Sequence, residues 1–174
     1  MNVTAAELFV GVILLQRLLE LWLAHANARH LLEAGGVEHG ADHYPRLVIM
    51  HGAVLFVLAF QAPSATLHPW FAAAYLAVLP LRAWSIASLS QYWTTRVITL
   101  PGAAPVARGP YRWIKHPIYV VVALELVLAP LALGLWWLAL AATIANALLM
   151  RERLRVENAA LAALATAPSS PRRP

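Results

Sequence analysis

The chain contains no cysteine, which excludes disulfides, thiolate metal sites and a cysteine nucleophile. Charge is scarce: charged residues make up 12% of 174 positions, against about 25% in an ordinary soluble domain. Acidic residues are the scarcer sign, with 8 Asp and Glu against 13 Lys and Arg. Glycine is sparse too, with 8 residues and no G-x-G. Strand–helix alternation is also missing, so the Gly-rich strand-to-helix turn of a Rossmann-type nucleotide site is excluded. The formal charge of +5 does not imply nucleic acid, because the arginines stand beside apolar blocks rather than on a soluble basic face. Membrane topology accounts for them.

What is present is apolar sequence in blocks, 61% hydrophobic in all. A spanning helix needs roughly 20 mainly apolar residues, and five segments qualify: 5–24, 46–62, 70–90, 117–133 and 135–152. The expected fold is an all-α integral membrane protein of about five transmembrane helices, with residues 1–165 forming one domain. Gly134 joins the last two spans in a tight antiparallel hairpin. Pro80 and Pro130 lie inside spans and are expected to kink them, with neighbouring helices supplying partners for the freed carbonyls. Residues 1–24 lack a basic start and carry Arg17 and Glu20, so they are read as helix one and not as a signal peptide. The stretch 166–174, ending in APSSPRRP, is Pro-rich and expected to be disordered.

Lys and Arg fall on one side. The loop after helix one carries Arg29 and ends at Arg46, and the loop after helix three carries Arg96, Arg108, Arg112 and Lys115. The C-terminal segment adds Arg151, Arg153, Arg155, Arg172 and Arg173. The opposite connections have none, which puts the N-terminus outside and the C-terminus in the cytoplasm. Only residues 91–116 and the helical extension 151–165 are long and polar enough to build a site there.

Arg17, Glu20, Arg82 and Glu125 lie within the predicted spans, where each charge costs about 2.5–3.5 kcal/mol at a helix centre. Arg17 and Glu20 are three apart and can meet on one helical face; Arg82 and Glu125 can pair across helices three and four. Two readings stay open: structural ion pairs, or the polar lining of a substrate cavity.

The stretch GPYRWIKHPIY, residues 109–119, interrupts this apolar pattern. Gly109-Pro110 breaks the chain, and Pro117 opens helix four at a position where its missing N–H costs little. His116 thus stands at a helix N-terminus, which favours an anionic ligand group. Tyr119 follows on nearly the same side, and the short intervening segment returns Tyr111 toward both. The group suits a small ligand with an aromatic base and a carboxylate; an interfacial belt of Tyr, Trp, Lys and Arg accounts for it equally well. Further on, RERLRVENAAL, residues 151–161, continues helix five, with Arg153 and Glu157 one turn apart.

The order G-P-Y, H-P-x-Y, apolar hairpin, R-x-x-x-E resembles the isoprenylcysteine carboxyl methyltransferase family, in particular small bacterial members that methylate lipid-like substrates such as alkylpyrones. The matching residues are Gly109-Pro110-Tyr111, His116-Pro117-Ile118-Tyr119 and the stretch from Arg153 to Leu161. Likeness to the bacterial members extends upstream through QRLLEL (16–21), HYPRLVIMH (43–51) and SLSQYWTTRVITLPGA (88–103). The resemblance implies S-adenosylmethionine as cofactor and an acceptor entering from the bilayer, prenylated or otherwise lipophilic, in a bacterial inner membrane. It implies that Ala103, Ala104, Pro105, Val106, Tyr111, His116, Pro117, Ile118, Tyr119 and Glu157 line the cofactor. Arg153 would meet the substrate, and Arg153 and Glu157 are the candidate catalytic residues. The family often has two glutamates where this chain has Glu157-Asn158, so only Glu157 is carried over and the role of Asn158 stays open. Lys115 stands where many relatives have arginine.

Three competing classes weigh against this one. A di-iron oxidase needs several histidine clusters, whereas His39, Asp42 and His43 form the one compact group, read here as a polar cytoplasmic loop with no metal role. A sterol-type reductase using NADPH shares part of the C-terminal organisation by resemblance, but such proteins are larger. A non-enzymatic scaffold gives no reason for Tyr111, His116, Tyr119, Arg153 and Glu157 to occur in this order.

Overall fold

The computed structural model describes residues 3–103 and 106–166. Five helices occupy the five expected positions: α1 (Ala5–Glu33), α2 (Tyr44–Gln61), α3 (Pro69–Leu89), α4 (Pro117–Ala132) and α5 (Trp136–Thr166). Thr4 starts α1 through a reciprocal cap, in which its hydroxyl accepts from Glu7 N at 3.1 Å and its own N–H donates to Glu7 Oε2 at 2.7 Å. Prolines sit in the first turns of α2, α3 and α4, where no intrahelical donor is lost.

Among the described residues, three segments are long and apolar enough to cross a membrane: α1, α2 with its following turn (Tyr44–Ser64), and α3 with its following turn (Pro69–Tyr92). The apolar α4, at 16 residues, reaches about 24 Å at 1.5 Å per residue. It is joined to α5 through Gly134 as a tight hairpin. Gly134 has φ 73°, a left-handed conformation open to glycine, and Leu135 N donates to Pro130 O at 2.9 Å. Pro130 therefore lies in the last turn of α4, where its carbonyl serves the hairpin. At the same end, His68 N donates to Ala132 O at 2.8 Å, fixing the start of α3 beside the end of α4.

The core joins Phe9 and Ile13 of α1, Val54 and Leu58 of α2, Tyr75 of α3, Leu126 and Ala129 of α4, and Leu138 and Ala142 of α5. Small residues such as Ala72, Ala129, Ala132 and Ala142 are buried and let the helices approach closely, the usual basis of packing in lipid. Trp22, Phe56, Phe60 and Ile144 point outward, as expected of surfaces that face acyl chains.

Two features depart from the sequence reading. The loops after α1 and α3 are not separate: β1 (Val37–His39) pairs with β2 (Val97–Thr99) as a short antiparallel ribbon, with Val37 opposite Thr99 and His39 opposite Val97. The frame is helical, but three-residue strands have no periodicity to detect. Secondly, the four intramembrane charges do not form two separate pairs. Arg17 bridges Glu20 at 3.1 Å and Glu125 at 2.7 Å, while Arg82 bridges Glu20 at 2.5 Å and Glu125 at 2.6 Å. The result is a closed ring that ties α1, α3 and α4 together. Each ion has two opposite neighbours, which offsets the desolvation of burying it.

Candidate active site

At the end of the molecule where β1 and β2 pair, the segment between α3 and α4 folds back on the helix ends. A turn at Gly109–Arg112 is pressed against α3. Gly109 has φ 58°, and a Cβ there would stand 1.9 Å from Ser88 Oγ, so no larger residue fits without displacement. Arg108 Nε donates to Ser88 O at 2.6 Å, and Pro110 is buried. These contacts set the direction of Tyr111, the next residue.

His116 precedes the first turn of α4, and its ring stacks on Tyr119 with centroids 5.2 Å apart and 15° between planes. The long α5, 31 residues or about 46 Å, carries Arg153 and Glu157 back to this stack. His116 Nδ1 lies 3.4 Å from Glu157 Oε1, and the Tyr119 hydroxyl donates to Glu157 Oε2. Arg153 Nε donates to the Tyr119 hydroxyl at 2.9 Å, and Arg153 Nη1 to Thr95 O at 2.8 Å. Tyr119 is thus relayed between a guanidinium and a carboxylate, and Arg153, 8% exposed, is held in one orientation. Lys115 Nζ donates to Asn158 Oδ1 at 2.6 Å, which gives Asn158 a place on the rim.

These groups enclose a cavity of about 530 Å³, within the roughly 300–1,000 Å³ usual for small-molecule sites. Val106, Tyr111, His116, Ile118, Tyr119, Arg153 and Glu157 lie on its wall. Pro117 is buried behind it, fixing the helix start. Ala103 forms a turn, its N–H donating to Leu100 O at 3.1 Å, and does not reach the wall. Ala104 and Pro105 lie outside the described residues. The sequence reading missed Trp93, Thr94, Arg96 and β2, which form the opposite wall. Their one signal is the β-branched run Val97-Ile98-Thr99, too short to separate from a loop without its partner strand. His39 does not face the cavity as a ligand; its Nε2 lies 2.7 Å from Thr99 Oγ1 across the ribbon.

Two polar atoms on this wall, the Tyr111 hydroxyl and His116 Nε2, are buried without a partner among the described residues. Burial, and then the neighbouring Tyr119 and Glu157 side chains, push the Tyr111 phenol up, so it stays a neutral donor. Burial lowers the His116 pKa, more than Glu157 raises it. With Nδ1 turned toward the Glu157 carboxylate, a neutral imidazole leaves Nε2 as an acceptor. Arg96, Arg112, Lys115 and Arg153 line the cavity with Glu157 as its acidic residue, giving a positive balance.

In this helical bundle one cavity joins the start of α4 to the charged extension of α5, and sequence comparison supplies the class, a membrane methyltransferase. The chain belongs to the isoprenylcysteine carboxyl methyltransferase (ICMT) family, whose model matches residues 71–163 and so takes in α4 and every described wall residue. The chain is also similar to the uncharacterized protein YpbQ of Bacillus subtilis (strain 168), with 35% identity over 161 residues, 88% of this chain and 95% of the relative. No solved structure matches it significantly.

Proposed function

We propose that the chain is an S-adenosylmethionine-dependent O-methyltransferase that takes its cofactor into the 530 Å³ cavity from water and a lipophilic acceptor from the bilayer. The observation that carries this reading is the pair of buried, unpartnered atoms, Tyr111 Oη and His116 Nε2, on the wall that also bears Glu157. A neutral donor and a neutral acceptor on one wall suit the edge of an aromatic base. The stacked His116 and Tyr119 rings add apolar faces, and the Glu157 carboxylate offers a counter-charge to a cationic ligand. Tyr111, His116, Ile118, Tyr119, Val106 and Glu157 would therefore hold the cofactor; Ala103, Ala104, Pro105 and Pro117 belong to the set through family resemblance.

When bound, S-adenosylmethionine supplies an electrophilic methyl carbon on a sulfonium, which is already a good leaving group. The protein's work is then alignment and exclusion of water. Thr95 O and the Tyr119 hydroxyl fix the Arg153 guanidinium and leave Nη2 to orient the acceptor oxygen. The positive wall favours an oxygen that arrives as an anion, a carboxylate or an enolate or phenolate of isoprenylcysteine-like or alkylpyrone-like type. Such a group is nucleophilic at neutral pH and needs no dedicated base. The reading places the cavity on the cytoplasmic side of a bacterial inner membrane, with the N-terminus outside.

Cofactor affinity measured calorimetrically in lipid nanodiscs tests the site. Glu157→Ala and His116→Ala should abolish binding while helical content is retained; unchanged affinity in both removes the site. Arg153→Ala should leave affinity nearly intact and lower turnover by about 100-fold, the scale of a misplaced reactant. Labelled S-adenosylmethionine incubated with the protein and a total lipid extract then identifies the acceptor.

A further inference from the structure

A second cavity, about 40 Å³, lies inside the bundle between α1, α2, α3 and α4. Arg17, His51, Tyr75 and Glu125 make its polar wall, and aliphatic residues such as Leu55, Leu58 and Leu126 make the rest. Hydrogen bonds around it are unevenly shared. Glu20 Oε1 accepts from Gln16 Nε2 at 3.0 Å and Arg82 Nε at 2.5 Å. Glu20 Oε2 accepts from Arg17 Nη1 at 3.1 Å and Arg82 Nη2 at 2.5 Å. Glu125 Oε2 accepts from Arg17 Nη2 at 2.7 Å and Arg82 Nη1 at 2.6 Å. The fourth carboxylate oxygen of the ring, Glu125 Oε1, is buried with no partner among the described residues, on a side chain 2% exposed. Leaving an anionic oxygen unpaired after burial forfeits its hydration with nothing in exchange.

None of the neighbouring polar groups reaches Glu125 Oε1, and Arg17 and Arg82 both donate to Oε2 instead. His51 Nδ1 donates to Leu47 O at 2.9 Å, so a neutral ring offers a lone pair at Nε2. The Tyr75 hydroxyl donates to Gln16 Oε1 at 3.3 Å, so its oxygen can only accept. Two guanidiniums already balance two carboxylates in the ring, so a further cation would leave it with excess charge. Size narrows the choice again. The cavity exceeds the roughly 10–15 Å³ that admits one water and is far below the roughly 300 Å³ at the low end of ligand sites, so it takes water or a hydroxyl and not a lipid headgroup.

We infer that this cavity binds one neutral O–H donor, which hydrogen-bonds Glu125 Oε1 and completes the charge ring. The donor has two sources of the same chemistry: an internal water, or the hydroxyl of a lipophilic alcohol or phenol whose tail extends out of the cavity between the helices. The inference rests on the ring and not on methyl transfer, so either can fail without the other.

Methyl-labelled protein in deuterated detergent distinguishes the sources. A resident water gives water-to-methyl Overhauser contacts at Ile13, Leu58 and Leu126. An alcohol site gives saturable shifts of those methyls with octan-1-ol and none with octane. Ala129→Val adds methyl volume to the cavity wall and should abolish whichever signal the wild type shows; Val122→Ile is the alternative filling variant if the first does not fold. Absence of both signals from the wild type overturns the inference. So do equal shifts with octane, or a signal unchanged in a folded filling variant.

Discussion

His116 stands before the first turn of α4 with its ring against Tyr119 and its Nδ1 3.4 Å from the Glu157 carboxylate. Burial is the larger influence on it and holds its folded pKa below the ordinary 6.5. As pH falls, the unfolded chain therefore takes up this proton before the folded one does. The stabilisation from keeping His116 neutral is complete above about pH 6.5 and is lost as pH drops through the lower folded value. Thermal midpoints in nanodiscs between pH 7.5 and 5, on the scale of an ordinary His titration near about 6.5, should fall more steeply for the wild type than for His116→Asn. Parallel pH profiles would show that the imidazole is not held neutral. The residue types of this cluster are visible in GPYRWIKHPIY and RERLRVENAAL because they interrupt apolar sequence. Their hydrogen bonds are not, since the Tyr119 relay between Arg153 and Glu157 depends on how two distant helices meet.

Among the elements, the turn at Gly109–Arg112 is the most constrained. A side chain at Gly109 would meet Ser88 Oγ at 1.9 Å, Ser88 Cβ at 2.9 Å and Trp84 Nε1 at 3.2 Å, on a backbone already left-handed. Gly109→Ala should cost about 1–2 kcal/mol for the backbone alone, plus about 1–3 kcal/mol for overpacking. It should also shift Tyr111 and weaken cofactor binding. Ser88→Ala removes the nearest atom and should recover part of the loss, measured by thermal unfolding and ligand affinity of the double variant; no recovery would place the damage elsewhere. The glycine and proline that break the chain here are legible in sequence, but the need for glycine comes from the surface of α3. The β1–β2 ribbon is the opposite case: neither strand has a signal of its own, and pairing across some sixty residues creates it.

On the scale of the whole molecule, the ribbon joins the loops after α1 and α3. Ion pairs at 3.0 Å between Arg96 and Glu38 and at 2.9 Å between Arg46 and Glu152 add α5 to the same end. The other end is marked by His68 against Gly134. This separation matches the one-sided distribution of Lys and Arg, and the cytoplasm is the expected side for the basic end. Because the chain has no cysteine, single cysteines report topology cleanly. Thr66→Cys should react with a membrane-impermeant maleimide in intact cells, and Arg155→Cys only after permeabilisation. The reverse pattern would invert the protein.

Sequence by itself determined the helical membrane frame, the tight Gly134 hairpin and the basic end, because each follows from local quantities: apolar run length, a glycine between two runs, and where cations stop. It also held the residues of the polar cluster in recognisable order. Tertiary structure alone decided that the four intramembrane charges close into one ring, that β2 and Arg96 wall the large cavity, and that Tyr111, His116 and Glu125 are left with unpartnered atoms. Those outcomes depend on distances between segments far apart in the chain, which are set by packing and burial and have no local signature to read.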